Sequence, residues 1–266
     1  MRDRLKSFLT ISTLGAGVIF SSAGAIAASD NYCRGLPDHA TLRAALVAAV
    51  ATEGSGLNFD MWATVVNRDG VVCAVAFSGE DRGAQWPGSR VISAQKANTA
   101  NAFSLDGLAL STANLFSAVQ PGGSLFGLQE SNPVDTAVAY KGPSRSYGTH
   151  NDPMVGQKIG GVNVFGGGLG LYNESFRIIG GLGVSGDTSC ADHMIAWRTR
   201  ANLVLDHLSA VGGVNAIFGA LDADRPDNII YDIVPNAAGG TGVSADGFGH
   251  PVCLNTGDEA ALPPVR

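Results

Sequence analysis

Two β-prone runs, residues 61–66 and 71–77, are separated only by Asn67-Arg68-Asp69-Gly70. Asp-Gly supplies the positive-φ turn that folds one strand back on another, so this stretch is an antiparallel hairpin and its neighbours must fit around it. Before it, Leu42, Ala45, Leu46, Ala49 and Val50 recur at helical spacing, with Asp38 as a cap and Gly54 as the stop. After it comes a polar loop, 78–90, and a second helix over about 92–104. One or two helical turns follow at 110–119, ended by Pro121-Gly122-Gly123. Further strands are expected at 162–165, 169–172 and 176–184, the last two joined by a turn at Asn173-Glu174. The longest helix then spans 189–211, with Met194, Trp197, Ala201, Val204, Leu205, Leu208 and Val211 as its apolar stripe. Hairpin-joined strands with helices outside them imply an α+β fold rather than a doubly wound parallel sheet.

The chain begins with Arg2, Arg4 and Lys6, then an apolar run over 8–20 that is too short to span a bilayer. Ala25-Ile26-Ala27 is an A-x-A site, so residues 1–27 read as a cleavable signal peptide and the mature protein as periplasmic or secreted. Asp30-Asn31-Tyr32 before Cys33 argues against lipid attachment, so no membrane anchor remains after cleavage. Removing the signal takes away three bases and one acid, leaving 14 bases against 22 acids, a net charge of −8. That balance disfavours nucleic acid and anionic membranes as partners. The domain is expected over 28–212, with a Ser-, Asn-, Pro- and Gly-rich insertion at about 128–158 and a C-terminal extension over 213–266. There is no internal repeat.

All four cysteines, Cys33, Cys73, Cys190 and Cys253, fall in the mature part. In an oxidising compartment an even count implies two disulfides. Chain ends often meet, which suggests Cys33 with Cys253 and Cys73 with Cys190. A zinc site would need a C-x-x-C pair that is absent, so no metal is assigned.

Three segments resemble the GlcG/HbpS-like, haem-degrading domain family: the hairpin over 64–72, the helix segment Ala94-Gln95-Lys96-Ala97-Asn98-Thr99-Ala100, and the strand end over 179–187. Gly160-Gly161-Val162 is similar to a further strand of that family. The resemblance covers about 41–211, and the signal, cysteines, insertion and extension depart from it. It implies a profilin- or PAS-like domain, a central antiparallel sheet of about five strands flanked by helices, and homo-oligomers. It also implies association with haem or iron, haem breakdown, or corrinoid or glycolate metabolism.

Lys96 and Thr99 lie three apart on one helix face, so both can border one pocket, where a cation would suit a haem propionate. A solvated lysine and a threonine bonding its own backbone are the plainer alternative. With Gly183 and Ser185 of the Gly-Val-Ser-Gly strand end they outline a cofactor pocket. Haem iron takes imidazole or phenolate ligands, which makes His150, beside Tyr147, and His193 the axial candidates. His39 is discounted beside a helix cap, and the absence of C-x-x-C-H excludes covalent attachment. Gly181-Leu182-Gly183-Val184-Ser185-Gly186 satisfies a dinucleotide pattern with Asp206 at the ribose spacing. No parallel strand follows the helix, so those glycines are read as packing residues. The acid pairs Glu80-Asp81 and Asp187 with Asp192 are candidate cation chelators or, more plainly, loop and capping acids.

The reading that results is an exported protein holding haem non-covalently. The alternatives are an enzyme or accessory acting on a small carboxylate or degrading haem oxidatively, with no catalytic residue assigned, and a structural oligomeric module.

Overall fold

A computed structural model describes residues 32–214, 224–234, 236–240 and 242–266. The expected signal segment, 1–27, lies outside the described residues. Among the described residues no helix is long and apolar enough to cross a membrane. Helix α1 (His39–Val50) starts at Asp38, whose side chain accepts from the Thr41 amide. The hairpin follows as β1 (Trp62–Asn67) and β2 (Val72–Phe77), then α2 (Ser89–Phe103). A two-residue strand β3 (Leu108–Ala109), two 3-10 turns at Ala113–Leu115 and Ser117–Val119, and the short α3 (Thr136–Ala139) lead to β4 (Gly168–Tyr172) and β5 (Ile178–Ser185). After α4 (Ser189–Asn202) come the short strands β6 (Gly212–Gly213), β7 (Ile233–Val234) and β8 (Val243–Ser244) and a 3-10 turn at Glu259–Ala261.

The fold is α+β, with a four-stranded antiparallel sheet in the order β2-β1-β5-β4. Alternation sends Ala63, Val65, Leu169, Leu171, Leu182 and Val184 to one face, where Leu42 and Leu46 of α1 and Met194 and Trp197 of α4 close the main core. The other face carries α2, and here the sheet is paved with glycine. A Cβ on Gly183 would stand 1.9 Å from Ser93 O and 2.5 Å from Ala97 N, and one on Gly181 would stand 2.3 Å from Ala97 O. Helix and sheet therefore touch backbone to backbone, and Thr64 Oγ1 meets Ser93 Oγ at 2.8 Å beside them.

Several expectations are corrected. Residues 162–165 form no strand, because their amides are spent on side chains: Asn163 N donates to Thr99 Oγ1 and Phe165 N to Asn163 Oδ1. The sheet thus has four strands rather than about five. The last long helix ends at Asn202, not 211, since Val204 takes φ +56 and the chain turns to run beside β4, with Tyr172 N donating to Leu205 O. Leu208 and Val211 pack on Tyr172 and Ile178 instead. The disulfides are Cys33–Cys73 and Cys190–Cys253, not the pairs expected from closeness of the termini. Cys33 precedes α1, which lies along edge strand β2, whereas the segment around Cys253 returns to the first turn of α4.

The extension is built into the core. Leu262 is buried among the α1 and α4 residues, Trp197 Nε1 donates to Pro263 O, and the described residues form one compact unit.

Candidate functional site

Three buried cations fix how the pieces of this fold meet. Arg90, in the first turn of α2, is 2% exposed and holds Asp152 with two bonds, Nε to Oδ2 at 2.8 Å and Nη2 to Oδ1 at 2.5 Å. Its Nη1 donates to Ala139 O at 2.7 Å, and its guanidinium lies 3.6 Å from the centre of the Tyr147 ring. Asp152 in turn accepts from the amides of Gly148 and Met154. One arginine therefore moors the insertion onto α2, by bidentate geometry that lysine cannot supply.

Lys96, two turns further along α2, is fully buried. Its Nζ donates to Asp192 Oδ2 at 2.6 Å and to Val184 O at 3.1 Å. Asp192 also accepts from the amides of Gly186 and Asp187, so the pair seals the β5–α4 turn. Burial pulls the Lys96 ammonium down and pushes the Asp192 carboxyl up to about 6, while their mutual attraction opposes both shifts. Arg200 of α4 makes the third pair, with Asp227 at 2.6 and 2.8 Å, fixing the C-terminal part.

The residues singled out in the sequence are thus distributed rather than gathered. Thr99 Oγ1 donates to Gln95 O and accepts from Asn163 N, which spends it on its own helix and on the 162–165 segment. Gly183 lies under α2, and Ser185 is buried opposite Trp62 in the strand register. His193 is fully buried, with Nε2 against Asn228 Oδ1 at 3.1 Å and the Ile229 amide at 3.2 Å. Desolvation lowers its pKa to about 4 against the opposing field of Asp227, so the ring is neutral at ordinary pH. Asp187 is a turn acid, accepting from the amides of Leu57, Phe59 and Thr188. Cys190, His250 and Cys253 cluster, but both sulfurs are in the disulfide and offer no thiolate.

Among the candidate haem-pocket residues Lys96, Thr99, His150, Gly183, Ser185 and His193, His150 alone is exposed. It stands at a groove of about 440 Å³ between β2 and the 149–155 turn, lined by His39, Ala74, Val75, Thr149, His150 and Val155 among others. The His39 and His150 rings lie edge to face with centroids 6.5 Å apart. His39 is held by Gly148 O at 2.8 Å, whereas His150 Nε2 meets the side-chain Nδ2 of Asn151 at 2.8 Å. Gly148 is required between them: its φ is +73, and a Cβ there would stand 2.3 Å from Phe77 and 2.6 Å from Trp62. The site thus includes His39, passed over in the sequence because it adjoins a cap. Arg90 and Asp152 were missed as well, and no local spacing signals a pair 62 residues apart.

A family model described as haem degrading protein HbpS-like matches residues 38–200, more than half of the chain. The chain belongs to the HbpS-like family. No curated protein matches it. Among solved structures this HbpS-like chain is similar to a PduOC:heme complex, at 24% identity over 61% of this chain and 89% of that one, with a TM-score of 0.42. It is also similar to Klebsiella pneumoniae protein ORFY, at 28% identity over 62% and 87% with a TM-score of 0.42, and to HbpS, at 14% over 61% and 84% with 0.36.

Proposed function

We propose that the protein is exported and binds haem non-covalently in the groove between β2 and the 149–155 turn, with His150 as an axial ligand. Membership of the HbpS-like family supports the ligand class. The observation that carries the reading is His150 itself, an exposed imidazole at a groove along edge strand β2 that His39 and Val155 also border. Imidazole is a common axial donor to haem iron, and freeing this one requires only that the Asn151 amide turn aside. Lys96, Thr99, Gly183, Ser185 and His193 serve the frame behind the groove in this reading rather than the ligand. Each is committed to protein partners or to backbone packing.

A hemin titration of the purified protein tests it. The parent develops a saturable Soret band, His150→Ala loses or shifts that band, and His193→Ala titrates like the parent because its ring is closed off. No saturable change in the parent defeats the haem reading, and an unchanged His150→Ala moves the ligand elsewhere. Export predicts that protein recovered outside the cytoplasm begins near Ala28, and an intact Met1 there would refute it.

A further inference from the structure

The insertion has a second face. Behind the turn that carries His150 lies a cavity of about 400 Å³, walled by Trp62, Arg82, Pro87, Tyr140, Ser144 and Tyr147 with two glycines. Its walls are set before any ligand arrives. The Tyr147 ring is backed by Arg90 and its hydroxyl donates to Tyr140 O at 3.0 Å. The Trp62 indole donates to Trp86 O at 3.0 Å. Gln85, 3% exposed, ties the loop that carries Arg82, donating to Asp81 O and accepting from the Gly79 amide. Tyr140 stands open at 61% exposure, an aromatic face with little of the protein against it.

The charge around this cavity leans positive. Arg82 lines it, Lys141 follows Tyr140, and Arg145 follows Ser144; all three are exposed, and none takes part in an ion pair among the described residues. Against them stand Glu80 and Asp81, and the Asp81 carboxylate already accepts from the Gly83 amide at 2.6 Å. Aromatic walls favour a flat π-system, and guanidinium favours a carboxylate. A cavity of about this size lies within the range of small-molecule sites.

We propose that this cavity is a second binding site, one that takes a small planar aromatic anion of the aromatic carboxylate class. The proposal does not rest on the haem reading, since the cavity and the His150 groove share no lining residue.

Naphthoate is the probe, followed by calorimetry and by the fluorescence of Trp62 and Trp86. The parent binds one naphthoate per chain saturably. Tyr140→Ala weakens binding about five-fold through lost stacking. Arg82→Ala weakens naphthoate by about the same factor and leaves the uncharged naphthamide unaffected. Both side chains are exposed, so both variants keep the parent's circular dichroism. His150→Ala binds naphthoate as the parent does, and hemin does not displace it, which separates this site from the haem groove. Absence of saturation in the parent overturns the proposal, as do naphthamide binding as tight as naphthoate, parent-like binding by Tyr140→Ala, or competitive displacement by hemin.

Discussion

Lys96 shows how one residue can read differently in sequence and in space. On the helix it shares a face with Thr99, which suggests a cation offered to a ligand; in the fold that face is the inner one, and Asp192 takes the ammonium at 2.6 Å. Removing one partner of such a pair strands the other charge in the interior, which costs about 3–5 kcal/mol. Lys96→Met is therefore expected to lower unfolding free energy by that order in urea, and Lys96→Met/Asp192→Leu to recover much of the loss. A Lys96→Met protein as stable as the parent would mean that the ammonium is free. The pair joins residues 96 apart, Arg90 and Asp152 are 62 apart, and Arg200 and Asp227 are 27 apart. No local pattern registers such partners, so the sequence exposed the lysine but not its commitment.

At the level of elements, what the sequence shows well is what is decided locally. The Asp69-Gly70 turn, the Asp38 cap and the β-prone runs behind β1, β4 and β5 all act within a few residues, and these elements lie close to where the pattern puts them. The errors fall where a distant partner overrides the pattern, as when Thr99 claims the Asn163 amide or β4 draws Leu205 alongside it. The glycines of β5 mix the two cases. Their packing role was legible, but only the fold reveals that α2 presses its backbone on them. Gly183→Ala forces α2 off the sheet, since its Cβ would stand 1.9 Å from Ser93 O, and overpacking of this kind costs about 1–3 kcal/mol. The expected result is a lower midpoint in thermal unfolding with the secondary structure retained. An unchanged midpoint would show that helix and sheet are not in backbone contact.

On the scale of the whole molecule, two covalent ties close the structure. Cys33–Cys73 fastens the chain before α1 to the edge strand, and Cys190–Cys253 fastens the extension to the first turn of α4, closing separations of 40 and 63 residues. Loops of this length make a disulfide worth about 2–4 kcal/mol through the entropy it removes from the unfolded chain. Replacing Cys190 and Cys253 by serine is expected to lower the unfolding free energy by that order and to open the 249–256 segment to proteolysis first. Thiol labelling of the unreduced, denatured parent should find no free cysteine. Four labelled thiols would contradict both bridges.

The mooring of the insertion carries one more consequence. Tyr147 faces one cleft and Thr149 and His150 face the other, while Gly148 between them is bonded to Asp152 and to His39. The two proposed recognition surfaces therefore share a single short wall, held by the Asp152 carboxylate on one side and by His39 on the other. Any coupling that this wall transmits between the two clefts is one free energy, the same in size whichever cleft is filled first, because thermodynamic linkage is reciprocal. The two faces of this turn are in effect the two pans of one balance, with the Arg90–Asp152 pair as its pivot.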